Sequence, residues 1–205
     1  PGVPVDSPLV KKFEEAGVPV WGEIELAYNY DKGRIIAITG TNGKTTTTAL
    51  VGQIVKAYNE QTYVVGNIGN SYTGEVLKTS ENSYTVAEIS SFQLETVHRF
   101  HPVVSAILNI TPDHLNRHHT MECYAHTKER IAENQTKDDV CVLNMEDEEL
   151  YRFGSECKAS VVWFSSKRKP DKGAYLDGDD IRYTDGTQDK LMLNIHDMNL
   201  LGTHN

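Results

Sequence analysis

The sequence predicts an α/β fold: a mainly parallel sheet with helices on both faces, plus a small antiparallel β-hairpin region near the C-terminus. Three observations predict it. Short, apolar, β-branched runs alternate with helical periods between Arg34 and Ser165. The first of these runs ends in a glycine turn that leads straight into a helix. Two Asp-Gly pairs, Asp177-Gly178 and Asp185-Gly186, then divide the last stretch into short alternating segments, and Asp-Gly suits turns with positive φ.

Taken in order, residues 1 to about 31 read as a short helix and its flanks, with Ser7 as cap and Pro8 at the first helical position. "RIIAIT", Arg34 to Thr39, reads as a buried strand. From Lys44 to Tyr58 the period becomes helical, with Leu50, Ile54, Ala57 and Tyr58 on one face. Val64 and Val65 suggest a second strand ending at Gly66. "YTVAEI" (Tyr84 to Ile89) and "VVSAILNI" (Val103 to Ile110) are the third and fourth. Thr120 to about Asn134 reads as a helix with Tyr124, Lys128 and Ile131 on one side. "DVCVLN" (Asp139 to Asn144) and "SVVWFS" (Ser160 to Ser165) are two further strands.

Composition sets bounds. With 205 residues, 39% of them hydrophobic, the chain can build one good core and a piece of another. A net charge of -9 argues against a large basic nucleic-acid footprint and against a membrane-surface role. No apolar run approaches the ~20 residues needed to span a bilayer, and no signal peptide is visible. The three cysteines, Cys123, Cys141 and Cys157, form neither a disulfide framework nor a Cys-x-x-Cys knuckle, so a reducing cytoplasm is expected. Pro1 in place of methionine and the abrupt "NLLGTHN" read as cut ends.

The seam "TGTNGKTTTT", Thr39 to Thr48, carries the first chemistry. The start of a helix after a strand offers unpaired N–H groups and a partial positive charge, which suits an anion. Gly40 and Gly43 let the backbone approach a phosphate, Lys44 can reach the outer phosphates, and the Thr45 hydroxyl can hold Mg²⁺. Residue 38 is Ile where the general pattern has glycine, so the seam is a compact Gly-x-x-Gly-Lys-Thr variant of the P-loop. The expected sheet is therefore P-loop-containing.

A metal needs more oxygen than one threonine supplies. Glu88 ends an apolar strand and is expected at the carboxyl edge of the sheet, facing the same crevice as the loop. His114, just past the next strand, could reach that edge. Histidine is an unusual ligand for a hard cation, so its role stays open. The pair His114 and His118 also suggests zinc, but solvated loop histidines fit better. Lys128 shares a face with Tyr124 and Ile131; on spacing alone its stem lies on the core and its ammonium reaches water.

In combination these motifs resemble the ATP-dependent Mur ligases of bacterial cell-wall synthesis. "TGTNGKTTTT" is similar to their phosphate loop, and also to that of folylpolyglutamate synthetases. "GNIG" (Gly66 to Gly69), "EISSFQLE" (Glu88 to Glu95), "NITPDHLNRH", "YAHTKERI" and "LLGTHN" resemble the branch of the family that adds D-glutamate. "PGVP" and "VWGEIELAY" resemble the close of its N-terminal UDP-binding domain.

The resemblance implies a division at residue 31: residues 1–31 would end the UDP-binding domain and its linker, and 32–205 would be a truncated central ATP-binding domain, with the C-terminal domain absent. It implies that Gly40, Thr41, Asn42, Gly43, Lys44, Thr45 and Thr46 hold ATP, and that Thr45, Glu88, His114 and Lys128 serve two Mg²⁺ ions. Lys128 would do so as a carbamate formed with CO₂. Asn67, Ser90, Ser91, Gln93 and His114 would meet the substrate, and Lys44, Lys128 and His114 would be the catalytic set. The implied substrates are UDP-N-acetylmuramoyl-L-alanine and D-glutamate, joined through an acyl phosphate; no nucleic-acid or membrane partner is implied. The chain alone is expected to be inactive. The rival expectations are a stand-alone P-loop nucleotide-binding module and a folylpolyglutamate synthetase-like ligase.

Overall fold

A computed structural model describes residues 2–198. The "LLGTHN" segment, Leu200 to Asn205, lies outside the described residues.

Two helices come first, α1 (Pro8–Glu15) and α2 (Glu23–Tyr28). The chain then alternates: β1 (Arg34–Thr39), α3 (Lys44–Tyr58), β2 (Thr62–Gly66), α4 (Tyr72–Glu75), β3 (Tyr84–Glu88), α5 (Ser91–Leu94) and β4 (Val104–Ile107). α6 (Leu115–His118), α7 (Met121–Glu129), β5 (Val140–Asn144), α8 (Glu148–Glu156) and β6 (Ser160–Ser165) follow. The chain then makes β7 (Gly173–Asp177), β8 (Asp180–Thr184) and β9 (Asp189–Asn194). All nine strands form one sheet in the order β2-β3-β1-β4-β5-β6-β7-β8-β9. It is parallel from β2 through β7 and antiparallel from β7 to β9. The expected hairpin region is thus a continuation of the main sheet. Gly178 (φ 60°) and Gly186 (φ 96°) sit in its two turns with the positive φ that the Asp-Gly pairs require.

The sheet buries two unequal faces. The larger core gathers Ile35, Ala37, Ala87, Ile107, Cys141 and Leu143 from the strands with residues of α2, α4, α5, α7 and α8. On the other face Ile38, Val86 and Ala106 meet Val51 and Val55 of α3. The expected apolar face of α3 is corrected here. Leu50, Ile54 and Tyr58 are 47%, 60% and 81% exposed, Ala57 is exposed, and Thr48 and Gly52 are buried instead. The turn before α3 fixes the helix's rotation, because its first N–H groups must point past the end of β1. Close approach then needs a small residue: a Cβ on Gly52 would come within 2.4 Å of Val64 Cγ2.

Ser7 caps α1 as expected, its side chain accepting from the Val10 N–H at 3.4 Å, but α1 buries no residue. α2 is different: Ile24, Glu25 and Ala27 are fully buried. The Glu25 carboxylate accepts N–H groups from His98 (2.8 Å), Arg99 (2.9 Å) and Phe100 (3.2 Å). Glu23 accepts from the Tyr72 N–H at 2.8 Å and from Gln93 Nε2 at 3.4 Å. α2 therefore anchors the segments that carry α4 and α5. No helix among the described residues is long and apolar enough to cross a membrane.

Removing the Glu25 side chain orphans three backbone donors. Glu25→Ala should lower the unfolding free energy by about 3 kcal/mol, and Glu25→Gln, which keeps one acceptor oxygen, by less. Urea denaturation checks this; a change within ~0.5 kcal/mol for Glu25→Ala would show that water replaces the carboxylate.

Candidate active site

The loop between β1 and α3 is built on two glycines in the left-handed half of φ space. Gly40 has φ 152° and Gly43 φ 82°. A Cβ at Gly40 would come within 3.0 Å of Leu108 Cβ and 3.3 Å of the Leu108 nitrogen, so only glycine lets the loop lie against the end of β4. Gly43 caps α3 without a side chain, which leaves the first N–H groups of the helix free of intrahelical or side-chain partners. Thr45 and Thr46 are exposed on that first turn.

The segment after β4 holds the loop in place. The Thr41 N–H donates to the Asn109 carbonyl at 2.9 Å, and the Asn42 N–H donates to Asn109 Oδ1 at 2.8 Å. Asn109 Nδ2 returns a bond to the Asn42 carbonyl at 3.0 Å. Thr41 Oγ1 accepts from the Thr111 N–H at 3.0 Å and lies 3.2 Å from the Tyr124 hydroxyl. Asn109 and Thr111 were not singled out from the sequence. The available signal is a pair of polar residues, Asn109 and Thr111, at the carboxyl end of the apolar run, of which β4 uses only Val104–Ile107.

Two lysines converge on one carbonyl. Lys44 Nζ donates to Gly40 O at 2.9 Å and Thr41 O at 2.8 Å, folding back over its own loop. Lys128 Nζ donates to the same Gly40 O at 2.8 Å. Lys128 is 1% exposed, and its nitrogen sits 4.7 Å from the centroid of the Tyr124 ring. The inward reading of its stem holds, but the ammonium does not reach water. Burial, reinforced by the Lys44 charge, pulls the Lys128 pKa down to about 7.

Glu88 ends the neighbouring strand, in register with Ile38. It is 1% exposed at the end of β3, Oε1 accepts from Asn67 Nδ2 at 2.8 Å, and Oε2 is buried without a hydrogen-bond partner. An unpartnered buried carboxylate oxygen is costly unless a cation meets it. Hard oxygens such as Glu88 Oε2 and the exposed Thr45 hydroxyl are the donors Mg²⁺ favours, so these residues fit that ion. Among the described residues no group of three or more His, Cys, Asp or Glu side chains gathers into a metal site.

His114 is placed by the loop before α6. It has φ 51°, half its side chain is exposed, and its Nε2 lies 3.5 Å from Asp113 Oδ2. Its ring lies 4.9 Å from Phe92, centroid to centroid, which brings it to the α5 segment. No hydrogen bond or ion pair joins it to Glu88. Ser90 and Gln93 form a capping box at the start of α5. Ser91 turns inward, 3% exposed, with its hydroxyl 3.0 Å from His118 Nε2. His118, 2% exposed in α6, is therefore a core residue and not the solvated loop histidine expected; its burial holds its pKa below the usual imidazole range, and the zinc suggestion has no support in its surroundings.

The Mur ligase middle domain matches residues 38–205. A protein of Lachnospira eligens called UDP-N-acetylmuramoylalanine--D-glutamate ligase is 81% identical over the whole chain, which covers 46% of that protein. The chain thus spans about half the length of the curated relatives it matches. A UDP-N-acetylmuramate:L-alanyl-gamma-D-glutamyl-meso-diaminopimelate ligase structure from Neisseria meningitides superposes with a TM-score of 0.65 at 15% identity, covering 98% of this chain and 68% of that one. A MurF ligase from Thermotoga maritima in complex with ADP superposes at 0.57 with 17% identity, covering 82% and 42%. These structural likenesses concern the fold. The glycine turn, the buried lysine and the sheet order are features of one continuous segment, and by the match over that segment the chain belongs to the Mur ligase family.

Proposed function

We propose that this chain is the ATP-binding middle part of a ligase that joins D-glutamate to UDP-N-acetylmuramoyl-L-alanine. The observation that carries the reading is the convergence of Lys44 and Lys128 on the Gly40 carbonyl, beside the uncapped start of α3. That arrangement offers an anion free N–H groups, a helix N-terminus and a cation on a short tether. The name carried by the 81% identical relative supports the choice of substrates.

In this reading the triphosphate lies on Gly40 to Thr46. Lys44 Nζ exchanges its two carbonyl acceptors for phosphate oxygens, a rotation of one side chain. Charge-assisted bonds of this kind are worth about 1.5–3 kcal/mol each. The alanine carboxylate attacks the γ-phosphorus, ADP leaves, and the D-glutamate amine then displaces phosphate from the acyl phosphate to form the amide. Glu88, Thr45, His114 and a carbamylated Lys128 would hold Mg²⁺, which spreads the charge of the transferring phosphoryl group when bound. Asn67 and His114 would lie nearest the substrate carboxylate. Ser90 and Gln93 would contribute through the turn that their capping box fixes, and Ser91 by holding α5 against His118.

The carbamate follows from Lys128's own state. Near pH 7 a large share of the side chain is the neutral amine, whose lone pair can attack CO₂, forming an N–C bond and releasing one proton. The product would be an anion beside Lys44, at a residue that is 1% exposed as the free lysine, and the Lys44 charge would then stabilise it instead of opposing it.

We further place the junction with a preceding UDP-binding domain before Glu23 instead of at residue 31. Ile24 and Ala27 are buried in the same core as the sheet, so α2 belongs with the middle domain.

Three outcomes are expected. Lys44→Ala should weaken ATP binding to the chain by about tenfold or more in titration calorimetry, with an unchanged circular dichroism spectrum. Equal affinity would remove Lys44 from the phosphate site. Supplying ¹³C-labelled bicarbonate should give a carbamate resonance that grows as pH rises through about 7 and is missing in Lys128→Gln. A resonance that survives in Lys128→Gln belongs to another amine. In a protein carrying this chain at the length of its relatives, phosphate release from ATP should need both UDP-N-acetylmuramoyl-L-alanine and D-glutamate. Dependence on a folate and L-glutamate would favour the folylpolyglutamate reading, and ATP binding with no such dependence the stand-alone module.

A further inference from the structure

Helix α6 is too short to hold its own shape. It has four residues, Leu115–His118, bracketed by two non-glycine residues in the left-handed region, His114 (φ 51°) and His119 (φ 65°). A single helical turn has no cooperative stability, and left-handed backbone at such residues persists only where the surroundings enforce it. The enforcement comes from α5. His114, Arg117 and His118 stand three and four residues apart, so they fall on one side of the turn. All three meet Phe92 of α5. Its ring lies 4.9 Å from the His114 ring and 5.6 Å from the His118 ring, centroid to centroid, and 5.1 Å from the Arg117 guanidinium carbon.

Arg117 makes the charged tie in this contact. Its Nε donates to Glu95 Oε1 at 3.0 Å and its Nη2 to Glu95 Oε2 at 2.5 Å, a two-point fork between side chains that are 13% and 9% exposed. Nη2 also donates to the Val3 carbonyl at 3.1 Å, so the segment before α1 enters the same clamp. Glu95 follows Phe92 by three residues, so fork and ring stacking act on neighbouring positions of α5. His118 has an anchor of its own, the Ser91 hydroxyl at 3.0 Å. Among the described residues the His114 ring meets α5 only at Phe92, and its ionic neighbour is the adjacent Asp113.

We propose that Arg117 is a positioning residue for His114: by forking onto Glu95 and lying over Phe92, it sets where the His114 ring stands. This rests on the reading of His114 as a group at the substrate and Mg²⁺ site, and Arg117 acts through the turn without taking part in the reaction. A lysine at 117 would keep the charge near Glu95, but a single ammonium can neither fork onto both carboxylate oxygens nor lie flat on a ring. A reacting group displaced by about 1 Å can cost on the order of 10²-fold in rate, so a change at 117 reaches the chemistry without touching it.

The first arm of the test uses the chain itself, without substrate. Its histidine ring Cε1–H signals are followed by NMR at fixed pH, with His114 assigned by the signal lost in His114→Gln. In Arg117→Lys the His114 signal should move toward the position of free histidine, away from the influence of the Phe92 ring. The His118 signal, held by Ser91, should move far less. Glu95→Gln, which keeps an acceptor for the fork, should give a smaller displacement in the same direction. An unchanged circular dichroism spectrum shows that each variant is folded. The second arm uses a protein carrying this chain at the length of its relatives, with the substrates on which it turns over. There Arg117→Lys should lower kcat about tenfold or more and leave KM for ATP unchanged. A mistaken substrate assignment leaves the first arm intact, whereas a mistaken role for Arg117 fails it. Three results would overturn the proposal. In one, the His114 signal keeps its position in both Arg117→Lys and Arg117→Ala. In another, the His114 and His118 signals move equally, which makes Arg117 a general support of α6. In the third, His114 is displaced and kcat does not change.

Discussion

The constraint on which the rest of the structure depends is the turn from β1 into α3. The chain must leave a buried strand, reverse direction, and start a helix whose first N–H groups stay unpaired. Gly40 and Gly43 make this possible with φ values of 152° and 82°. Once the turn is set, α3 cannot rotate freely. It lands with Thr48 and Gly52 toward the sheet and carries Leu50, Ile54 and Tyr58 outward. The same turn brings the Gly40 backbone against Leu108, and the segment after β4 then finds its partners in Thr41 and Asn42.

Charge in the site is arranged around that turn at real cost. Lys128 is almost fully buried with one carbonyl and the Tyr124 ring for company, and Lys44 stands on the same carbonyl. Burial lowers the proton affinity of Lys128, and repulsion from the second cation on the same acceptor adds to it. Across the crevice edge Glu88 leaves an oxygen without a partner. Buried groups left this way lower stability, and such debts collect where ligands bind. The negative and positive groups do not cancel by direct contact.

Around this crevice the scaffold is conventional and well satisfied. Glu25 and Glu23 hold the backbone of the 98–100 segment and of Tyr72. Tyr72 and Thr85 both donate to Asp31 Oδ2 at 2.7 Å. These bonds link α2, α4 and β3, so the helices flanking Glu88 and Asn67 are positioned by polar contacts as well as by the apolar core. Gly66, with φ 103°, would bring a Cβ within 2.2 Å of the Glu88 carbonyl; the approach that places Asn67 beside Glu88 therefore needs glycine there.

The sequence by itself determined the parallel strands, the helices α1, α3 and α7, the glycine turn and the Asp-Gly hairpins, because each depends on local periodicity or on a local φ requirement, whereas α2 and α8 were not read from it. It also determined the strand–glycine–helix seam at Gly40 to Lys44 and the inward side of Lys128, which are set by neighbours within a turn or two. Only the tertiary structure decided which face of α3 is buried, since a helix's rotation against a sheet is fixed by the turn before it and by close contacts such as Gly52 on Val64. It alone decided that the hairpins extend the main sheet, that Asn109 and Thr111 brace the loop, and that Ser91 turns toward His118. The short helices α4, α5 and α6 left no periodic signal, being four residues each, too short for one. The meeting of Lys44 with Lys128 on the Gly40 carbonyl was likewise hidden, because contacts between distant residues follow from strand order and helix packing, and no local rule contains those.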